Sequence, residues 1–177
     1  MRNGGHVRID PNRWLIEDAL SRETGWSITT LKAPRFSYNE DFRCDVFDRK
    51  FEFIVAQSIL THCGVSLSQY LLKQMSAALV PQGLALFSIL EAPSDMNDSH
   101  EEGWIYPNCV AYRESTILGW CIQSGMVAKR LPWYHPGAVW YAAALDADRL
   151  PTASDMIVLS GSVLLDPQFV ASRPSPS

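Results

Sequence analysis

Apolar positions along this chain follow two rhythms. Short unbroken runs predict buried strands, and apolar residues recurring every three or four positions predict helices. The stretch HVRID, residues 6–10, is a short strand candidate that runs straight into PNRWLIEDALSRETG, where Pro11 suits the first turn of a helix, Asp10 its cap and Gly25 its end. A second short strand is predicted around Arg35 to Tyr38. The strongest strand signal is KFEFIVAQSI, residues 50–59, where Phe51, Phe53, Ile54, Val55 and Ala56 form the continuous run expected of a central strand buried on both faces.

Helical spacing follows in SLSQYLLKQMSAALVPQG. Ser66 and Gln69 have capping-box separation, Leu67, Tyr70, Leu71, Met75, Ala78 and Leu79 share one face, and Pro81 with Gly83 should stop the helix. LALFSILE, residues 84–91, is the next strand, so the order strand, helix, strand with short joints implies a right-handed parallel crossover. Residues 92–113 make a long polar and aromatic connection, a lid candidate. STILGWCIQSGM restores the helical period, with Gly125 as its exit, and VAKRLPW and AVWYAAALD read as an antiparallel pair joined through YHPG. MIVLSGSVLL, residues 156–165, predicts a further strand or hairpin, and ASRPSPS a frayed tail. The expected fold is α/β: a Rossmann-like, mostly parallel sheet flanked by helices with an antiparallel C-terminal hairpin. Residues 1–150 form the domain and 151–177 an extension.

Composition narrows the function classes. With 47% apolar residues and 19% charged, the 177-residue chain can bury a substantial core. The net charge of −4 and the absence of a Lys/Arg block argue against nucleic acid or an anionic membrane as principal partner and favour a small-molecule substrate. The four cysteines, Cys44, Cys63, Cys109 and Cys121, lack CxxC or zinc-finger spacing, so they read as reduced thiols, and no metal site is expected. No apolar run approaches the length of about 18 residues that a membrane span needs, and the amino terminus has no secretory apolar region, which predicts a cytoplasmic location.

Chemistry is expected at the polar ends of the strands, because ligands of open parallel sheets collect beyond the carboxyl ends. Three such ends occur: Asp10 after HVRI, Asn39 to Asp41 after RFSY, and Gln57 with Ser58 after FEFIVA. A carboxylate at the tip of a short strand can accept hydrogen bonds from both hydroxyls of a ribose, although Asp10 equally suits a helix cap. Asp41 can accept from an adenine amine while Phe42 packs on the base; a turn acid beside a core Phe is the alternative. His62, following a strand end, suits a general base or a packed histidine at a helix entrance. Cys63 reads as an inert thiol, His135 as a turn residue, Trp133, Tyr134, Trp140 and Tyr141 as core or strand surface, and DMNDSHEE as a solvated loop.

Taken in order, RIDPNRWLIEDAL, PRFSYNEDF, FEFIVAQSILTH, LVPQGLALFSILE, YRESTILGWCIQSGM and LPWYHPGAVWYAAA resemble the later two thirds of a class I S-adenosylmethionine-dependent methyltransferase, over roughly residues 5–145. The resemblance implies S-adenosyl-L-methionine as cofactor, with Asp10 at its ribose, Asp41 and Phe42 at its adenine, and Gln57 and Ser58 near the methionine end. It places His62, the candidate catalytic base, together with Trp104 and Tyr106 facing a small-molecule acceptor. The family's first strand and glycine-rich turn have no counterpart in MRNGGHVRID. That departure implies an N-terminally truncated domain, or a degenerate one acting as a non-catalytic binding or interaction protein.

Overall fold

A computed structural model of the chain describes residues 5–22 and 33–161. The chain divides into two compact units, residues 1–50 and 51–177.

In the first unit, β1 (Val7–Ile9) and β2 (Arg35–Ser37) pair in parallel, Arg8 opposite Phe36. Between them in sequence lies α1 (Arg13–Arg22), which buries Ile16. Its cap is Asn12 rather than Asp10. The Asn12 side-chain oxygen accepts from the Leu15 N–H at 3.3 Å, and the Asn12 carbonyl accepts the first helical bond, from Ile16. Pro11 therefore stands before the helix, spanned by the turn that Asp10 closes with Asn12. The helix exit expected at Gly25 lies outside the described residues.

The second unit holds a mixed five-stranded sheet flanked by helices. Its strands are β3 (Phe51–Ala56), β4 (Leu79–Glu91), β5 (Ala111–Tyr112), β6 (Val127–Leu131) and β7 (Val139–Ala144). The order is β3-β4-β7-β6, with β5 paired to the end of β4. β3 and β5 run parallel to β4, whereas β7 is antiparallel to both β4 and β6, which is the expected hairpin.

One expectation for this sheet is reversed. β3 pairs only with β4 among the described residues, and Phe53 and Val55 are 68% and 60% exposed, so it is an edge strand and not one buried on both faces. Hydrophobic residues on both faces state that a strand is apolar; they do not state how many neighbours it has. The buried centre is instead β4 and β7, where Phe87 lies opposite Tyr141 with the rings stacked at 5.8 Å.

The helices are α2 (Val65–Ala78), α3 (Glu114–Gln123) and α4 (Ala153–Gly161). α2 lies against β4 and α3 against β6. Gly64, not Ser66, precedes α2 as its cap residue and offers no capping side chain; instead the Ser66 N–H donates to the Glu102 carboxylate at 3.1 Å. Pro81 and Gly83 do not follow the helix as a loop. They fall inside β4, in the irregular stretch where pairing jumps from Leu79 to Leu84 against Phe51 and Phe53. A missing N–H costs least at such a bulge. Gly125, at φ 79°, does make the exit from α3, in the left-handed region that favours glycine.

The segment expected as a late strand or hairpin, residues 156–165, is instead part of a helix from Ala153 to Gly161 as far as it is described. Thr152 and Asp155 close a reciprocal cap: the Thr152 N–H donates to the Asp155 carboxylate at 2.8 Å, and the Asp155 N–H to the Thr152 hydroxyl at 3.2 Å. Met156 and Leu159 then pack on Leu131, Trp140 and Ala142. Residues 162–165 of that segment, and the tail expected to fray, lie outside the described residues. Among the described residues no helix is long and apolar enough to cross a membrane.

Candidate functional site

In the first unit the two acids sit at the carboxyl ends of neighbouring parallel strands. The Asp10 N–H continues the ladder to the Ser37 carbonyl at 3.0 Å. One Asp10 oxygen accepts from the Asn12 N–H at 2.9 Å, the other from the Arg8 guanidinium at 2.7 Å. Its side chain is 17% exposed. At the tip of β2, the Ser37 hydroxyl donates to the Asn39 side-chain oxygen at 2.8 Å, and the Asn39 amide donates to Asp41 at 2.6 Å. The Arg43 backbone N–H adds a bond at 3.2 Å. Together these donors, the Asn39 amide first, hold the Asp41 carboxyl below its usual range, so it stands ready as an acceptor. Phe42 beside it adopts φ 55°, a left-handed conformation that costs a non-glycine residue roughly 1–2 kcal/mol.

In the second unit, β3 ends at Ala56, leaving Gln57 exposed and Ser58 at φ 55°. A 3-10 turn (Leu60–His62) leads into α2. The long connection expected as a lid is fastened along this turn. The Gly64 N–H donates to the Gly103 carbonyl at 2.8 Å, Val65 to Glu101 at 2.9 Å, Ile105 to His62 at 3.0 Å and Val110 to Thr61 at 2.9 Å. A second anchor is Asp98, which accepts from the Arg113 side chain, the Arg113 N–H and the Thr116 hydroxyl. Burial pushes the Asp98 carboxyl up, but these bonds and the guanidinium outweigh it and hold it at about 2.

This docking brings three candidate residues together. The His62 ring lies 5.6 Å from Trp104 and 5.1 Å from Tyr106, centre to centre, the latter edge to face. Trp104 and Tyr106 remain 51% and 66% exposed, so two aromatic surfaces stand open beside one imidazole. His62 Nδ1 lies 2.8 Å from the Asn108 carbonyl oxygen, which can only accept. Nδ1 therefore carries the hydrogen, and in the neutral ring Nε2 holds the lone pair a base needs. Exposed Cys109 places its sulfur 3.8 Å from the same Nδ1, so it does not compete for Nε2. Cys63, by contrast, is fully buried, bonds the Ile59 carbonyl and is pushed up to about 12 by burial, which makes it a packed and inert thiol.

Sequence reading missed two partners of Ser58. The Ser58 N–H donates to the hydroxyl of Ser88, a fully buried residue of β4, at 2.7 Å. Its own hydroxyl lies 3.4 Å from His135 Nε2. Ser88 was visible as the polar residue that interrupts the apolar run LALFSIL; nothing local connects His135 to a position 77 residues earlier.

The sequence matches no protein-family model and no curated protein. Solved structures do resemble it. The glycopeptide N-methyltransferase MtfA, in complex with S-adenosyl-L-homocysteine, superposes with a TM-score of 0.61 at 11% identity, over 79% of this chain and 73% of that one. An S-adenosylmethionine-dependent methyltransferase from Clostridium acetobutylicum gives 0.58 at 14% identity, over 81% and 76%. DesVI from Streptomyces venezuelae gives 0.57 at 10%, over 79% and 74%. The fold is that of the class I S-adenosylmethionine-dependent methyltransferases. MtfA has also been solved with S-adenosyl-L-methionine and with sinefungin.

Proposed function

We propose that this chain binds S-adenosyl-L-methionine and transfers its methyl group to a small-molecule acceptor. The observation that supports this most is Asp10 at the carboxyl tip of β1, in a fold shared with proteins solved with that cofactor and its analogues. Each Asp10 oxygen has one protein donor and keeps a second lone pair, which fits a vicinal diol. Asp41, an ionised acceptor beside Phe42, fits an adenine amine, and the exposed carboxamide of Gln57, with Ser58, fits the polar methionine end.

When bound, the cofactor supplies an activated methyl group on a sulfonium. The chain's part is alignment and proton removal. Trp104 and Tyr106 offer flat surfaces that orient an acceptor beside His62, and His62 Nε2 takes the proton that the attacking oxygen or nitrogen loses as it is methylated. The test is formation of S-adenosyl-L-homocysteine from S-adenosyl-L-methionine over a panel of small hydroxyl- and amine-bearing acceptors. Acceptor-dependent turnover is expected. Tight binding of the product with no turnover for any acceptor would mark a non-catalytic binding domain instead.

A further inference from the structure

Ser58 holds a left-handed conformation, φ 55°, at the tip of β3, and every polar group it owns is held by a different piece of chain. The N–H goes to buried Ser88 of β4, the carbonyl accepts from the Thr61 hydroxyl at 2.9 Å, and the hydroxyl meets His135 at 3.4 Å. A strained non-glycine residue persists only where its surroundings over-determine it, and such residues gather at functional sites. The outermost of these three restraints comes from the loop between β6 and β7.

The direction of that restraint is fixed by His135's other nitrogen. Nδ1 lies 3.0 Å from the Ala138 N–H and 3.3 Å from the Gly137 N–H, both of which can only donate. Nδ1 is therefore the acceptor, the hydrogen sits on Nε2, and Nε2 donates to the Ser58 hydroxyl. This excludes a serine–histidine nucleophile pair, because the nitrogen facing the hydroxyl already carries a proton and takes none from it. The imidazole acts as a strut. It also packs edge-on to Trp140, ring centres 6.0 Å apart, while Trp140 stacks on Trp133 at 5.0 Å, so the strut is braced by the sheet.

We infer that His135 is a positioning residue of the methyl-transfer site: by donating to Ser58 it fixes the turn that presents the Gln57 carboxamide and starts the path to His62. The inference rests on the methyltransferase reading proposed above. It assigns a role to the β6–β7 loop, which the sequence presents only as a turn.

The test is an S-adenosyl-L-homocysteine titration of the full chain followed by amide and side-chain NMR, with His135→Phe, His135→Gln and Ser58→Ala. In the wild type, the Gln57 carboxamide and Ser58 amide resonances should shift saturably. His135→Phe keeps a ring against Trp140 and loses the donor; it should weaken binding about tenfold and speed amide exchange at Ser58, the scale of one lost hydrogen bond. Ser58→Ala, which also removes the hydroxyl offered to the methionine end, should weaken binding at least as much, and adding His135→Phe to it should cause no further loss. His135→Gln, which restores a donor, should recover most of the affinity. Normal titration of the wild type with unchanged affinity in His135→Phe overturns the positioning role alone, as does a variant that melts earlier yet binds as tightly. A wild type whose Gln57 and Ser58 signals ignore the ligand overturns the methyltransferase reading and the positioning role with it.

Discussion

His62 carries the sharpest expectation for a single side chain, because the Asn108 carbonyl dictates which nitrogen is available as base. His62→Gln should lower acceptor-dependent turnover by about a hundredfold, the lower range for loss of a general base, with product affinity unchanged. Equal loss of affinity and turnover in that variant would assign His62 to binding. Asp10→Asn keeps the size of the side chain and removes its charge. Product affinity should fall roughly tenfold to a hundredfold, on the scale of a charge-assisted hydrogen bond of about 1.5–3 kcal/mol, read by calorimetry. Polar strand ends were legible in the sequence because a break in an apolar run is a local signal. The companions of these residues were not: Ser88 and His135 meet Ser58 only after β4 and the β6–β7 loop are in place, and Asn12 took over the capping role that Asp10 also suited by type.

At the scale of elements, the docking of residues 101–110 along the turn before α2 decides whether the His62, Trp104 and Tyr106 frame exists. Gly64 makes that docking close: a Cβ there would collide with the Glu101 carbonyl oxygen and lie 2.5 Å from the Glu102 Cα, both backbone atoms with little freedom to move. Gly64→Ala should destabilise the protein by about 1–3 kcal/mol, measured by urea unfolding, and detach Trp104 from His62. The Asp98 hub predicts a pH effect of fixed sign. Its folded-state carboxyl sits at about 2, below the ordinary aspartate value of 3.8, so its contribution is complete above about 4 and disappears as pH falls through about 2. Asp98→Asn should therefore melt earlier than the wild type near neutral pH, and the gap should close on acidification over that window; a gap independent of pH would contradict the charge-assisted hub. The helices α1, α2 and α3 were readable from cap-type residues and helical spacing, and the β6–β7 hairpin from the YHPG turn between two apolar runs. The edge position of β3 was not, since an apolar strand looks the same with one neighbour or two, and in α4 the apolar run, which suggests a strand or hairpin, masks the TASD capping signal that starts the helix.

At the scale of the molecule, strand, helix, strand with short joints identified an α/β fold, and the solved methyltransferases share it at 10–14% identity. Such a likeness arises because a parallel pair with a crossover helix, closed by an antiparallel hairpin, requires only apolar strands, an amphipathic helix and compatible turns. Ligand binding requires more specific groups, and the proposal above rests on few of them, Asp10 first. Calorimetric titration of the full chain with S-adenosyl-L-homocysteine tests the central claim most directly. The account predicts saturable heat at one site per chain, diminished in Asp10→Asn. An absence of binding at millimolar ligand, by a wild-type chain that unfolds cooperatively and is therefore folded, would contradict it.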